Sequence, residues 1–238
     1  MASGKALLGS VLGRFLFRSA RITEVEELAP RFRRLTCMGA GLVGVPWTPG
    51  DKVQVFLPSV GMRTYTPLSW DASTGTTRLL VYVHGDSPGA RWGREAKVGD
   101  VCQFLGPRSS IDGASLTARA VLFGDETSFA VAHALRHTRR AQALRCVFEV
   151  SDPVASANVL QRLGVEHADC VPREAGDGHL ELLSAQLRDA LLALPEADLV
   201  LTGRAQAIQA MRARLREEGL ARPGRNKAYW SEGKAGLD

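Results

Sequence analysis

The order of strand and helix patterns predicts a two-part fold, a small antiparallel β-barrel followed by an α/β domain with a Rossmann-like parallel sheet. From about Ala20 to Leu116, short strand patterns follow one another with Gly and Pro turns between them. From about Thr117, strand and helix patterns alternate, which is typical of a parallel sheet with right-handed crossovers. We therefore expect a leader at 1–19, the barrel at 20–117, and the α/β domain with a C-terminal tail at 118–238.

Composition limits the classes of function. The 238 residues can form one large domain or two modest ones, and a hydrophobic fraction of 45% supports a real core. The net charge is +5, but Lys and Arg are scattered among the acids without a dense basic run that alternates with aromatics. Nucleic-acid binding is therefore not expected, whereas an anionic small molecule or an acidic partner protein suits the charge.

The cysteines and the N-terminus bear on location. No two cysteines have the spacing of a zinc or redox motif, and apolar neighbours indicate that all four are buried small side chains: Cys37, Cys102, Cys146 and Cys170. This usage suits a reducing cytoplasm. The run Lys5–Phe17 is too short to span a membrane and has a poor cleavage pattern for a signal peptide, so we favour an amphipathic leader helix packed on the protein or on a membrane surface.

The barrel prediction rests on five strand patterns. Turn residues separate them, as in Trp47–Asp51 and Val98–Asp100. The predicted strands are Ile22–Leu28, Phe32–Met38, Lys52–Leu57, Leu79–Val83 and Val101–Pro107.

Two stretches of the barrel carry chemistry. In an extended chain Arg63, Tyr65 and Ser69 share one side and Thr66 lies on the other. A guanidinium, a flat ring and a hydroxyl suit a planar heterocycle joined to a pyrophosphate, although an edge strand with a turn is the alternative. In His84–Gly93, Gly and Pro break a strand before a short helix pattern, and amides at a helix start can bind an anion.

The α/β part alternates regularly. Its predicted strands are Ala120–Gly124, Leu144–Val150, His167–Val171 and Asp198–Gly203, and its predicted helices are Ser128–Arg140, Val154–Leu163, Leu180–Leu194 and Ala205–Glu218. Such sheets bind ligands beyond the carboxyl ends of their strands. There is no Gly-x-Gly-x-x-Gly motif; the first strand ends instead in Gly124-Asp125-Glu126-Thr127.

Three motifs in order resemble the siderophore-interacting proteins, a branch of the ferredoxin-reductase-like flavoproteins. They are Arg63-Thr64-Tyr65-Thr66, the segment His84 to Trp92, and Gly124-Asp125-Glu126-Thr127, and the resemblance runs from about Ala20 to Trp230. It implies that the barrel binds FAD and that the α/β domain binds NADPH or NADH.

The resemblance also implies residue roles. Arg63 would hold the pyrophosphate, Tyr65 would flank the isoalloxazine and Thr66 would bond its reactive edge. His84 would contact flavin partly through its backbone, with a purely structural histidine as the alternative, and Trp92 could be core or could cover the cofactor. The full cofactor-binding set is Arg63, Tyr65, Thr66, Val83, His84, Ser87, Pro88, Gly89, Ala90, Trp92, Asp125, Glu126 and Thr127.

The chain departs from the family pattern in two places. Ser87, Gly89 and Ala90 stand where the family has Gly, Ala and Ser, so the hydroxyl at the last position is lost and flavin affinity is expected to fall. The run Pro67–Trp70 lacks the family's basic residues and resembles the pyridine-nucleotide reductases instead.

On the nucleotide side, Asp125, Glu126 and Thr127 would line the nicotinamide site, and hydride transfer to flavin needs no protein acid. Arg173 and Arg204 could pair with a nucleotide phosphate or form surface ion pairs. An acid such as Glu149 at a strand end favours a free ribose hydroxyl, whereas Arg173 favours a phosphate, so the choice of nucleotide stays open.

The tail Arg225–Trp230 resembles the family's closing segment, with a frayed tail as the alternative. Arg108, Arg225 and Lys227 would form a basic mouth for an anionic ferric chelate. The leading hypothesis is a monomeric, cytoplasmic FAD-dependent ferric-siderophore reductase that takes electrons from a pyridine nucleotide and needs no metal ligand or catalytic side chain of its own. The alternatives are a reductase for a protein acceptor, ferredoxin or cytochrome, and a non-catalytic siderophore-binding protein.

Overall fold

A computed structural model describes residues 17–57, 61–137, 143–222 and 224–233. Of the predicted leader at 1–19, residues 1–16 lie outside the described residues. The first strand begins at Arg18, two residues before the predicted start of the barrel. No helix in these ranges is long and apolar enough to cross a membrane.

The first sheet is antiparallel and follows the order β4-β3-β7-β1-β2-β6-β5. Side chains alternate along its strands, as in β3, where Val53, Val55 and Leu57 are buried. Thr66 alone joins the edge strands β4 and β5, so the two edges meet and the sheet closes into the predicted barrel. The strands are β1 Arg18–Ala29, β2 Phe32–Met38, β3 Lys52–Leu57, β4 Gly61–Tyr65, β5 Pro67–Asp71, β6 Thr76–Tyr82 and β7 Val101–Arg108.

The second sheet is parallel and follows the order β10-β9-β8-β11-β12, which confirms the predicted α/β architecture. Its strands are β8 Arg119–Asp125, β9 Ala143–Val150, β10 Ala168–Pro172, β11 Asp198–Arg204 and β12 Gly224–Trp230. The tail is therefore a fifth strand paired with β11, and the frayed-tail alternative is wrong for these residues.

Helices connect the strands, and capping side chains mark where two of these helices begin. The helix α1, Pro88–Glu95, lies between β6 and β7, and Ser87 caps it by accepting a hydrogen bond from the backbone N–H of Ala90 at 3.3 Å. Asp152 caps α3 in the same way. The helices of the α/β part are α2 Phe129–Arg136, α3 Pro153–Arg162, α4 Leu180–Ala193 and α5 Ala205–Glu217; residues 138–140 of the predicted first helix lie outside the described residues.

The barrel and the parallel sheet share one hydrophobic core. Phe32 of β2 stacks on Phe129 of α2 with ring centroids 5.5 Å apart, and Phe129 meets Phe148 of β9 at 5.0 Å. Leu68 and Leu80 of the barrel belong to the same buried cluster. Because this core is continuous, the two sheets hold a fixed relative position. The division at 117/118 stays a prediction; the chain leaves the first sheet after β7 and enters the second at β8.

The cysteines are free, and three of them, Cys37, Cys102 and Cys146, are buried as predicted. Cys170 on the edge strand β10 is only half-buried.

Candidate functional site

A cavity of about 230 Å³, somewhat smaller than typical ligand pockets, lies where the barrel meets the carboxyl ends of the parallel strands. Ten of the thirteen predicted cofactor residues line it, and Val83, Trp92 and Asp125 do not. Its lining is Arg63, Thr64, Tyr65, Thr66, Leu80, Tyr82, His84, Ser87, Pro88, Gly89, Ala90, Glu126, Thr127, Ala130, Tyr229, Trp230 and Ser231.

One end of the cavity combines two features that bind anions. Arg63 and Tyr65 share a wall of β4, as the alternation predicts. The first turn of α1 lies directly against them, since a Cβ added at Gly89 would stand 3.5 Å from the Tyr65 hydroxyl and 3.6 Å from Arg63 Cγ. Of the first-turn amides, those of Ala90 and Arg91 already bond Ser87 and Pro88 has none, so the Gly89 amide and the Arg63 guanidinium are the donors left beside this space.

The departure in the loop is partly compensated. Position 90 carries no hydroxyl, but Ser87 supplies one three residues earlier, and it bonds the Ala90 amide. Ala90 is buried, and so the helix start is held without the family's serine.

Two predicted cofactor residues face the barrel core instead. Trp92 packs on Tyr65 at a centroid distance of 5.5 Å and belongs to the edge of the barrel core, which decides for its core alternative. Val83 packs on the same core, and a Cβ at Gly93 would lie 3.4 Å from its side chain.

A row of aromatic rings forms the opposite wall. The His84 ring lies 5.5 Å from Tyr82, nearly parallel to it, and 6.1 Å from Trp230. Burial lowers the pKa of His84, which keeps the ring neutral at pH 7. Tyr82 and Trp230 were not among the predicted cofactor residues; the paired aromatics of the tail were the available signal.

Glu126 links three segments behind this wall. Its Oε1 accepts hydrogen bonds from the Tyr82 hydroxyl at 2.9 Å and from the Ser151 amide at 2.6 Å, and its Oε2 accepts one from Arg173 Nη2 at 3.0 Å. The side chain is buried. Its carboxylate is therefore occupied in holding β6 of the barrel to the ends of β9 and β10.

Asp125 anchors Trp230. Its Oδ2 accepts a hydrogen bond from Trp230 Nε1 at 2.7 Å, and its Oδ1 accepts bonds from the amide and the hydroxyl of Thr127. Gly203, with φ +97°, lies so close that a Cβ there would stand 2.5 Å from Oδ2. Burial, reinforced by the charge of Glu126, raises the pKa of Asp125 to about 6.

The Tyr229 hydroxyl is a buried polar atom in the cavity. Within the described residues it makes no hydrogen bond of normal geometry. Burial raises the pKa of this hydroxyl, and a weak hydrogen bond with the Thr66 side chain opposes the rise. Because the Thr66 contact falls outside normal hydrogen-bond geometry, the hydroxyl can still bond a polar group of a ligand.

Arg204 and Glu149 form a buried pair. Arg204 Nε and Nη2 donate to the two Glu149 oxygens at 2.9 Å each, and His179 Nε2 lies 2.9 Å from Glu149 Oε2. Both side chains are fully buried, so neither a phosphate contact nor a surface ion pair is correct for Arg204. The expectation that Glu149 meets a ribose hydroxyl is also wrong, because its carboxylate is covered.

Arg173, the other predicted phosphate contact, bonds the Glu126 carboxylate and the Ser151 hydroxyl. Its guanidinium carbon lies 5.8 Å from the Trp230 ring centroid. It is partly exposed and stands between the cavity and the solvent.

A basic cluster, Lys52, Arg108 and Lys227, stands near the other end of the cavity. Lys52 on β3 lies opposite Arg108 on the neighbouring strand β7. Its neighbour Val53 pairs with Tyr65 of β4, which brings Lys52 beside Thr66. Burial, and then the charges of Lys227 and Arg108, lower the pKa of Lys52. Lys52 was missed from the sequence because the contact depends on strand register.

Arg225, the third predicted residue of the basic mouth, lies two residues before Lys227 on β12. Its Nη2 donates to the Ser115 hydroxyl at 2.6 Å, which ties it to the connection between the sheets. Arg225 therefore lies on the same strand as Lys227, but its guanidinium is held by Ser115.

Comparisons with known proteins agree with this geometry. Residues 59–111 match the sequence model of a siderophore-interacting FAD-binding domain. A siderophore utilization protein from T. fusca is 24% identical, with a TM-score of 0.75 over 93% of this chain and 95% of that one. The resemblance inferred from the motifs is confirmed.

Other solved structures share the fold. The siderophore-interacting protein SipS from Aeromonas hydrophila is 19% identical, with a TM-score of 0.74 over 92% of each chain. Ferredoxin-NADP+ reductase from Plasmodium falciparum is 10% identical, with a TM-score of 0.66 over 90% of this chain and 96% of that one. No curated protein sequence matches the chain. These likenesses establish a ferredoxin-reductase-like fold.

The hydrogen bond between Trp230 and Asp125 predicts a pH-dependent variant. Because folding raises the pKa of Asp125 from 3.8 to about 6, this group makes the protein lose stability as pH rises through that window. Above about pH 6 the Asp125 side chain is ionised, and the Trp230 indole then donates its hydrogen bond to a carboxylate. Trp230→Phe should then reduce the free energy of unfolding by about 2 kcal/mol at pH 8 and by about 1 kcal/mol at pH 5, as measured by urea denaturation.

Trp92→Phe is the matched control, because its indole packs on Tyr65 and not on a carboxylate. Its cost should not depend on pH. An equal cost of Trp230→Phe at both pH values would contradict the assigned role of the hydrogen bond.

Proposed function

We propose that this chain is an FAD-dependent oxidoreductase that passes electrons from a pyridine nucleotide to a ferric siderophore and so releases ferrous iron. The observation that carries the proposal is the layout of one cavity. The start of α1 lies beside Arg63 in its lining, aromatic rings line it as well, and a basic cluster stands near Thr66. In this proposal residues 20–117 bind the flavin and 118–238 bind the nucleotide.

The residues fit FAD. The Gly89 amide at the start of α1 and the Arg63 guanidinium would hold the pyrophosphate. The rings of Tyr65, Tyr82 and His84 bound a flat space, and the unsatisfied Tyr229 hydroxyl offers a polar contact there. When bound, FAD supplies hydride acceptance and the onward transfer of single electrons.

The nucleotide would approach from the carboxyl ends of the parallel strands. There Glu126 and Thr127 line the cavity, and Asp125 supports Trp230 from behind. None of these side chains would have to give or take a proton in the proposed hydride transfer. They would hold the aromatic wall in place and exclude water from the contact between flavin and nucleotide.

The basic cluster supports an anionic acceptor. Siderophores fill the iron shell with oxygen donors, which hold ferric iron better than ferrous iron, so reduction loosens the complex without a protein ligand. Lys52, Arg108 and Lys227 would draw such a chelate toward the Thr66 end of the cavity. The same charges would suit an acidic ferredoxin, and ferredoxin reductases share the fold, so a protein acceptor is the second candidate.

Arg63→Ala should weaken FAD binding by about 2–3 kcal/mol, because a charge-assisted contact to phosphate is lost. The measurement is the flavin content of the purified protein and the FAD dissociation constant. Arg91→Ala is the matched control, since it removes an exposed guanidinium from α1 that does not line the cavity. If both variants keep the wild-type affinity, Arg63 does not contact the cofactor.

Lys227→Glu should slow reoxidation of reduced flavin by an anionic ferric chelate, because the reversed charge repels the chelate on encounter. Stopped-flow traces at low and high salt measure it, and the effect should shrink as salt rises. Reoxidation by a neutral acceptor and flavin content should stay unchanged.

Lys97→Glu makes the same charge reversal on an exposed lysine outside the cavity and should leave both acceptors unaffected. Equal slowing of charged and neutral acceptors by Lys227→Glu would contradict the basic mouth. Rapid reoxidation by a ferredoxin but not by ferric chelates would favour the protein-acceptor alternative.

A further inference from the structure

A second groove adjoins the cavity at the carboxyl ends of β9 and β10. Its volume is about 500 Å³. Arg173 connects the two spaces, because it lines the groove, bonds Glu126 and lies over Trp230. The groove is lined by Ser151, Arg173, Glu174, Ala175, Gly176, Asp177 and Glu232. In parallel α/β sheets this edge is where nucleotides bind.

The lining of this groove is acidic. Glu174, Asp177 and Glu232 face it together with a single described cation, Arg173. Arg204 lies behind them, but its Nη2 bonds Asp177 at 2.7 Å and its Nη1 bonds Glu232 at 2.9 Å. Its Nε and Nη2 also donate to the buried Glu149, and its side chain is only 1% exposed, so Arg204 is not open to a phosphate.

The acids are held in place by the loop that carries them. Gly176 and Asp177 both have left-handed backbone, with φ of 77° and 61°. Such a conformation is unfavourable for Asp and persists only where its surroundings fix it. The ion pair with Arg204 does so on one side. On the other side of the loop, Nδ1 of the buried His179 accepts a hydrogen bond from the Glu174 amide, and its Nε2 bonds Glu149.

We propose that this groove holds the adenosine ribose of the nucleotide and that its fixed carboxylates select NADH against NADPH. This inference rests on the proposed function. A ribose diol can donate hydrogen bonds to Asp177 or Glu232. A 2′-phosphate brings a charge of about −1.5 to −2 and would meet the same carboxylates, while Arg173, the one described cation of the groove lining, is already paired with Glu126.

The direct test is the binding of two fragments, ADP-ribose and its 2′-phosphorylated form, measured by calorimetry on the purified flavin-loaded protein. ADP-ribose should bind at least about tenfold more tightly at low salt, and the ratio should shrink as salt screens the charges. Equal affinity, tighter binding of the phosphorylated fragment, or no binding of either would overturn the proposal.

The double variant Asp177→Asn with Glu232→Gln removes two charges from the groove and the two ion pairs that Arg204 makes there, while Arg204 stays bonded to Glu149. It should move the affinity ratio toward the phosphorylated fragment by about tenfold. Glu232→Gln alone should move the ratio in the same direction by less; because Glu232 is 58% exposed, this variant should fold even if the double variant does not. Glu217→Gln, at the far end of α5, is the matched control and should leave the ratio unchanged.

Anaerobic reduction of the flavin by NADH and NADPH separates the two proposals. If ADP-ribose is preferred but neither nucleotide reduces the flavin, the groove assignment stands and the proposed electron donor is wrong. If NADPH reduces the flavin faster at limiting concentrations, the oxidoreductase function stands and the selectivity proposal is wrong.

Discussion

The site depends on one buried carboxylate. Glu126 accepts hydrogen bonds from Tyr82 of the barrel, from the amide of Ser151 after β9 and from Arg173 after β10. A carboxylate removed from water is tolerated only when its oxygens are bonded, and removing one partner of a buried pair typically costs about 3–5 kcal/mol. The three contacts therefore fix the barrel against the parallel sheet at the point where the cavity needs both walls.

Burial also decides which charged side chains can bind ligands. Arg204 and Glu149 are fully buried and satisfy each other, so they shape the strand ends and are closed to a ligand. Arg63 and the basic cluster of Lys52, Arg108 and Lys227 line the cavity or stand beside it with partial exposure. Position in the fold, more than residue type, thus separates cations that stabilise the structure from those able to meet an anion.

Local patterns were enough to predict the helices, the shared side of Arg63 and Tyr65 and all strands except β4, β5 and β12, because alternation and capping act over a few residues. The contacts that were missed join distant segments. Trp230 bonds Asp125 across 105 residues, and Lys52 on β3 of the barrel lies near Lys227 on β12 of the parallel sheet. One sequence does not specify the register of paired strands, and this is also why Arg204 was not expected to be buried.

Charge is segregated around the cavity in a way that suits two different reactants. The groove beyond β9 and β10 is acidic, whereas the basic cluster stands on the side of Thr66 and β12. Trp230 lies between Arg173 at the groove and His84 inside the cavity. If the acceptor is an anionic chelate, the acidic groove would repel it and the basic side would attract it, so opposite potentials would keep it from competing with a nucleotide for one entrance.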